Sequence, residues 1–432
     1  MKALLELVRR HKAGEALGTF CVCSAHPMVL AATLEHASGS QGLAVIEATS
    51  NQVNQEGGYT GMRPADYRDR VLNLARRIGI SPERVVLGGD HLGPNCWQGG
   101  PAQVAMQKAG DMVAEYVAAG FRKIHLDCSM SCADDPRVLE DAQVAERTAL
   151  LCERTETAWR QNGGEPPVYI IGTEVPVPGG AHETLTELQV TTPAAAADTI
   201  EAHRTAFVRH GLAAAWQRVI GLVVQPGVEF DHHQVIDYRP RKAVALSRSI
   251  VPVAGMVFEA HSTDYQTPVA LKSLVRDHFA ILKVGPGVTF AMREALWALS
   301  DIARELGLPP QQTAKHAVLA AMHQDPRHWQ SYYQDAARVE FDLQYSLSDR
   351  VRYYWARPEV ASATEQMLQR LETGTIPLTL ISQYLPVQYG AIRSGALQNS
   401  PQALVYDGIA QVLRHYAYAC DPNVTAAAAA VG

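Results

Sequence analysis

The sequence predicts a (β/α)8 TIM barrel over residues 1–308, followed by a helical C-terminal extension over residues 309–432. Three observations predict it. Eight apolar runs, most of them ending in polar residues, alternate with helical segments. The first run leads into Cys23-Ser24-Ala25-His26-Pro27 and lacks the glycine-rich turn that an open dinucleotide-binding sheet requires. After Leu308 the strand pattern stops.

The eight strands are expected at Thr19–Ser24, Leu43–Ala48, Arg84–Gly88, Lys123–Asp127, Val168–Thr173, Val219–Gln225, Met256–Ala260 and Ile281–Val284. Near-continuous apolar runs suit parallel strands covered on both faces. Spacings of roughly 25 to 50 residues leave room for a crossover helix each time. Met1–Gly14 reads as an amphipathic helix, with Arg9, Arg10, His11 and Lys12 beside a short apolar stretch, and not as a signal peptide. In Pro101–Ala119, residues Ala105, Ala109, Met112, Val113, Tyr116 and Val117 form one stripe. Pro101 suits the first helical position and Gly120 the cap. Ser81-Pro82 and Thr192-Pro193 look like further helix starts. In the extension, Ala314–His323, Ala361–Leu371 and Gln402–Ala419 read as helices. Aromatic clusters at Trp329–Tyr333 and Val351–Trp355 point to packing on the barrel or on a partner subunit, and a homo-oligomer is expected. The run Ala426–Ala430 is of low complexity and is expected to fray.

Composition removes several functional classes. The charge sum is 38 − 44 = −6, without the basic excess that a nucleic-acid binder needs. No run of about 18 apolar residues exists, so no membrane span is expected. Seven cysteines lie at 21, 23, 96, 128, 132, 152 and 420. They show no zinc-finger spacing and read as thiols in a reducing cytoplasm. No phosphate-binding G-x-x-x-x-G-K-[ST] loop occurs, which removes that form of ATP chemistry and any expected nucleotide cofactor.

A barrel of this type places its chemistry at the C-terminal strand ends. Six of the eight ends carry Asp, Glu, His or Lys. His91, Glu174 and His261, with Gln225 or Asp127 completing the shell, make an N/O site for a divalent cation; Zn²⁺, Mn²⁺, Ni²⁺ or Co²⁺ suits it better than Mg²⁺. A polar rim without metal is the alternative, and Gln225 also reads as a plain structural amide. Asp90, beside His91, is the nearest acid/base candidate, with Asp127 the other. Glu47, Asn51, Glu259, Asp264 and Lys283 stand at the same ends as substrate-binding candidates. Lys283 reads as an ion-pair partner of a strand-end carboxylate and not as a Schiff-base nucleophile. His232-His233 read as solvated or interfacial. Gly57–Gly61 and Pro178-Gly179-Gly180 either admit a ligand's hydroxyls or phosphate to backbone N–H groups or serve as tight turns.

At these residues the sequence resembles the accessory, "non-catalytic" chain of class II tagatose-1,6-bisphosphate aldolase, the GatZ/KbaZ-type family. The resemblance runs over nearly the whole chain. It is carried by Ile46–Val53, Gly57–Gly61, Gly88–Pro94, Ile124–Met130, Ile171–Gly180, Val224–Phe230, Phe258–Gln266, Ile281–Pro286 and Ser346–Trp355. It implies a (β/α)8 barrel with a helical addition, a bacterial cytoplasmic role in galactitol or N-acetylgalactosamine breakdown, and a catalytic aldolase chain as partner. Members have also been labelled tagatose 6-phosphate kinases; the missing nucleotide loop argues against that label here. The usual family run Gly-Pro-Ala-Leu is Gly285-Pro286-Gly287-Val288 in this chain.

More distantly, the strand ends resemble those of the catalytic class II aldolases. Asp90-His91 matches their acid/base and zinc-ligand pair, Asp127 and Glu174 their acids on the next two strands, and His261 a zinc histidine. The other zinc histidine has no counterpart near Gln225; the first histidine downstream is His232. Their phosphate-binding Gly-Gly-Ser-Gly and Asn-Val-Ala-Thr runs are replaced by Ser262-Thr263-Asp264-Tyr265 and Gly285–Val288. The ligand should therefore depend less on bound phosphate than an aldolase's bisphosphate does. Three functions follow as expectations: an aldolase accessory subunit, a metal-dependent ketohexose 4-epimerase working by retro-aldol chemistry on a ketohexose or its (bis)phosphate, and a non-catalytic interaction protein.

Overall fold

The computed structural model describes residues 1–40, 42–172 and 188–425. Eight parallel strands close into a barrel in chain order: β1 (Thr19–Cys23), β2 (Ala44–Thr49), β3 (Val85–Leu92), β4 (Lys123–Leu126), β5 (Val168–Ile171), β6 (Val219–Val223), β7 (Val257–Ala260) and β8 (Phe279–Val284). β1 closes the ring by pairing with both β2 and β8. All eight expected strands are present, and β3 runs on through His91. A short antiparallel pair, Glu229–Phe230 with Val235–Ile236, lies in the loop after β6 and was not expected.

The helices follow the predicted stripes, with local corrections. The helix Ala102–Ala118 buries Ala105, Ala109, Met112, Val113, Tyr116 and Val117, but Pro101 is its N-cap and not its first residue. Thr192 starts Pro193–Arg209 by accepting from the Ala195 amide. Ser81-Pro82 starts only a 3₁₀ turn, Pro82–Arg84. The crossover helix there, Pro64–Ile78, has already ended at Gly79, whose φ of +88° a glycine adopts without strain.

The two ends of the barrel differ in kind. At the N-terminal end, Leu4 and Val8 of the first helix pack against a buried layer that includes Val45, Val86, Ile220, Val257 and Ile281. Toward the C-terminal end the interior becomes ionic. Lys123 Nζ lies 2.8 Å from Glu47 Oε1 and 2.6 Å from Glu259 Oε2, and all three side chains are 0% exposed. Lys283 pairs with Glu47 and lies 2.9 Å from Asp90 Oδ1. Register explains how Glu47 reaches Lys123. Glu47 stands opposite Gly88, and Gly88 opposite Lys123. A Cβ at Gly88 would sit 2.5 Å from Glu47 Oε1, so the glycine leaves the space the carboxylate occupies.

The extension returns to the barrel. Its last helix, Pro401–Cys420, packs against Pro27–Ser38, Pro268–Arg276 and Pro286–Glu305, and Cys420 O accepts from the Gly18 amide at 2.8 Å. The aromatic segment 346–355 lies across the loops at the mouth. Leu347 O accepts from Tyr265 Oη (2.6 Å), Thr289 Oγ1 donates to Asp349 Oδ2 (2.6 Å), and the Tyr59 and Tyr353 rings are 4.7 Å apart. His232 and His233 join this intrachain interface through Tyr332 O (3.1 Å) and Asp342 (3.2 Å), and His233 is also exposed to solvent. All seven cysteines are free thiols. Among the described residues no helix is long and apolar enough to cross a membrane.

Two substitutions test the ionic interior. Lys123→Met strands two buried carboxylates and is expected to cost about 3–5 kcal/mol. Gly88→Ala is expected to cost about 1–3 kcal/mol through overpacking against Glu47. Urea midpoints measure both; a Lys123→Met midpoint equal to the parent's would show that the network contributes no stability.

Candidate active site

In a regular strand, neighbouring residues face opposite sides. β3 breaks that rule where it matters. His91 has a φ of +48°, an uncommon conformation for a residue with a Cβ. The β3–β4 register shifts between Gly89 and Leu92. Asp90 and His91 therefore both reach the mouth, although they are consecutive. Ser262, directly after His261, has a φ of +50°.

Three imidazoles meet Asp90 there. His91 Nδ1 is 2.7 Å from Asp127 Oδ2, and His261 Nε2 is 2.8 Å from Glu259 Oε1. Each carboxylate takes the proton of the ring nitrogen it faces. In the neutral rings the opposite nitrogens then carry lone pairs. Those nitrogens, His91 Nε2 and His261 Nδ1, face each other at 3.1 Å. His125 differs, because both of its nitrogens are engaged: Nε2 lies 2.9 Å from Gly172 O, and Nδ1 lies 3.0 Å from Asp90 Oδ1 and 3.2 Å from the His91 amide nitrogen. Ligand atoms of Asp90, His91, His125 and His261 all lie within 4.8 Å of one another. At 3.1 Å the two ring nitrogens share a proton, and a cation that displaces it finds both lone pairs converging. The imidazoles of His91 and His261 with the Asp90 carboxylate, and His125 packed against Asp90, fit a borderline divalent cation. Outer N–H groups held by carboxylate or backbone carbonyl are the way proteins orient metal-binding histidines.

Burial alone would raise both site aspartates. The His91 ring and then the bond to His125 hold Asp90 well below the usual carboxylate range. The His91 bond does the same for Asp127. Burial is again the largest influence on Glu259, but Lys123 and His261 outweigh it and bring the carboxyl to about 2. Burial pushes the His261 pKa down, which favours the neutral ring.

The structure brings together Asp90, His91, Asp127 and His261 of the residues expected from the sequence. Glu174 and the Pro178-Gly179-Gly180 loop lie outside the described residues. Gln225 is held by its own loop. Its Oε1 accepts from the Gly227 (2.8 Å) and Val228 (3.0 Å) amides, so that oxygen shapes its own turn. Glu47, Glu259 and Lys283 bind one another, Lys123 and the site residues; the Lys283 ion pair is as expected. Asn51 stands exposed at the rim, its Oδ1 3.3 Å from Cys96 Sγ. Asp264 Oδ1 accepts from the Gly285 (2.9 Å) and Gly287 (2.7 Å) amides, where the helix Pro286–Glu305 begins. Burial, opposed by these bonds, pushes its carboxyl up to about 6. Gly57–Gly61 forms a tight turn with φ of +102° at Gly57 and +55° at Gly58. His125 and Lys123 were not among the sequence candidates. Their signal was the alternation Lys123-Ile124-His125-Leu126-Asp127, which puts three polar side chains on one face of a strand.

Two further features border the site. Glu229 is buried after β6, with Oε1 accepting from the Phe230 amide at 3.0 Å, and burial pushes its carboxyl up to about 8. A cavity of about 1060 Å³ starts at Cys23, Gln52, Tyr59 and Arg352 and runs between the barrel and the extension to Gln369 and Gln402. Asp90, His91, His125 and His261 do not line it; Cys23, which does, has its Sγ 3.5 Å from Asp90 Oδ2 and stands between the cavity and the cluster.

Residues 4–421 match the family described as D-tagatose-1,6-bisphosphate aldolase subunit GatZ/KbaZ-like. Among solved structures, the chain is similar to a probable tagatose 6 phosphate kinase from Sinorhizobium meliloti 1021. The two are 46% identical, the TM-score is 0.86, and the match covers 93% of this chain and 100% of that one. The YdjI aldolase from Escherichia coli K12 matches at 9% identity with a TM-score of 0.41, over 86% of this chain and 98% of that one. A fructose-bisphosphate aldolase from Campylobacter jejuni matches at 17% identity with a TM-score of 0.43, over 85% of this chain and 91% of that one.

Asp127→Asn keeps the shape but weakens the grip on His91, and should lower Zn²⁺ affinity in equilibrium dialysis by about 10–100-fold; unchanged affinity would remove Asp127 from that role. Glu229 gives a pH test. Its pKa is raised from 4.5 to about 8, so the folded chain holds the extra proton in that window and loses stability as pH rises through it. Glu229→Gln removes this loss, on the order of 4 kcal/mol. The urea midpoint of the variant should pull ahead of the parent's from about pH 5 to about pH 8; parallel curves would contradict the assignment.

Proposed function

The chain belongs to the D-tagatose-1,6-bisphosphate aldolase subunit GatZ/KbaZ-like family, and on that premise we propose that its barrel mouth is a metal-dependent site that breaks and remakes the C3–C4 bond of a ketohexose or ketohexose phosphate. One observation carries the reading: the lone-pair nitrogens of His91 and His261 face each other at 3.1 Å, with His125 and Asp90 beside them. His91 and His261, with Glu174 kept as an expected further ligand, would hold a divalent cation, which would supply Lewis-acid stabilisation of charge developing on the substrate carbonyl oxygen.

The chain's own residues do the rest. Asp90 is the acid/base. Its Oδ1 is fixed by Lys283 at 2.9 Å, and its Oδ2 faces the cavity side at Cys23. It takes the proton of the C4 hydroxyl as the C3–C4 bond breaks. The electron pair of that bond moves toward the C2 carbonyl, giving an aldehyde and an enediolate. Rotation of the aldehyde and re-addition to its other face invert C4, and Asp90 returns its proton to the new alkoxide. The sequence is redox-neutral. Asp127, bound to His91 and to Ser129 Oγ (2.6 Å), is a positioning residue.

The family description favours a second, compatible role. In it the chain supports a separate catalytic class II aldolase chain in cytoplasmic tagatose breakdown.

The deciding experiment uses the purified chain alone, metal-loaded or EDTA-stripped, with D-fructose and D-tagatose in separate tubes, followed by carbon NMR. We expect metal-dependent formation of the other sugar, lowered by Asp90→Asn by about 10²–10⁴-fold. No conversion with Zn²⁺, Mn²⁺, Ni²⁺ or Co²⁺, free sugar or 6-phosphate, would overturn independent catalysis. The supporting role would then be read with tagatose 1,6-bisphosphate and the catalytic chain.

A further inference from the structure

We propose that Arg352, contributed by the extension and not by the barrel, binds the end of the substrate remote from the reacting bond, as a terminal hydroxymethyl group or its phosphate ester. The proposal rests on the reading of the mouth as a ketohexose site and adds a second subsite to it.

Three observations carry it. First, the cavity of about 1060 Å³ has Cys23 and Arg352 on its walls, and Cys23 touches Asp90. An extended six-carbon chain reacting beside Asp90 has this space for its far end. Second, the amides that open the helix after β8 are taken. Asp264 Oδ1 fills them at 2.9 and 2.7 Å, so an incoming oxyanion does not find those donors there. Third, the Arg352 guanidinium is held in place but not used up. Nη1 donates to Ser348 O and to Asp349 O (3.1 Å), and Nη2 donates to Tyr353 Oη (3.3 Å). Its guanidinium carbon lies 4.7 Å from the centre of the Tyr353 ring. Among the described residues these bonds leave the Nε–H and one Nη2–H without a protein acceptor. No carboxylate within ion-pair distance of Arg352 is found among the described residues; Asp349 is engaged by Thr289 and Arg293 instead.

A fixed guanidinium with donors to spare recognises oxygen-rich termini, and a phosphate most strongly. Tyr59 and Thr289 line the same stretch and add polar contact.

The test measures binding without chemistry. D-glucitol 6-phosphate and D-glucitol lack the carbonyl, so isothermal titration into the full-length metal-loaded chain reads the subsite alone. Arg352→Met should weaken the phosphate ester by about 10–100-fold, and Arg352→Lys should fall between, keeping the charge but losing the fork. A loss confined to the phosphate ester identifies the anionic terminus; comparable losses for both polyols identify the hydroxymethyl group. If neither polyol binds the parent at millimolar concentration, or if a variant with the parent's circular dichroism binds both as the parent does, the proposal is overturned. Should Arg352→Met fail to fold, Arg352→Lys answers the same question. Binding that depends on Arg352 in a chain that turns over no ketohexose would retain the subsite and reject the catalytic reading.

Discussion

The structure depends on a buried set of charges. Glu47, Lys123, Glu259, Lys283 and Asp90 occupy the upper interior of the barrel, linked by contacts of 2.6–2.9 Å and by the Lys283–Glu47 pair. Removing each ion from water costs several kcal/mol, so such a set is weak evidence for stability and better evidence for specification. Two ammonium groups face three carboxylates, which leaves one negative charge over, and Asp90 is the member at the mouth. The interior thus presents a cation-attracting group upward while satisfying its own charges below. His125 and His261 are attached to this set through Asp90 and Glu259, so the buried charges set the orientation of the rings at the mouth.

The barrel and much of its chemistry were legible in the sequence. Apolar runs of the right length and spacing reported the eight strands, because parallel strands covered on both faces have no other way to be written. Asp90, His91, Asp127 and His261 were legible because strand ends concentrate polar groups. What was hidden depended on three-dimensional detail. A strand read as strictly alternating cannot use Asp90 and His91 together; the φ of +48° at His91 permits it, and no residue type announces that conformation at a histidine. Gln225 drew attention by its place at a strand end, yet its own turn uses its oxygen. Glu47 and Glu259 sit at strand ends too, and only the glycine opposite Glu47 shows that its carboxylate turns inward.

The extension was legible as helices but not as part of the site. Its aromatic residues suggested packing on the barrel or on another subunit. The first holds: they cover the barrel's own loops, where Tyr353 meets Tyr59 and Leu347 meets Tyr265. The apolar side of such a segment reports that it is covered, but carries no information about what covers it. The same holds for His232 and His233, whose partners lie about a hundred residues downstream.

The bond from the Gly18 amide to Cys420 O joins the edge of the first strand to the end of the last long helix. β1 also completes the ring by pairing with β8, more than half the chain away. Such distant pairings must overcome the entropy of closing long loops, which slows folding. Pro401–Cys420 supplies Pro401, Gln402, Ala403 and Tyr406 to the wall of the cavity. The pocket therefore exists only where a helix from late in the chain has docked beside a strand from early in it, and its formation reports on the completion of the fold.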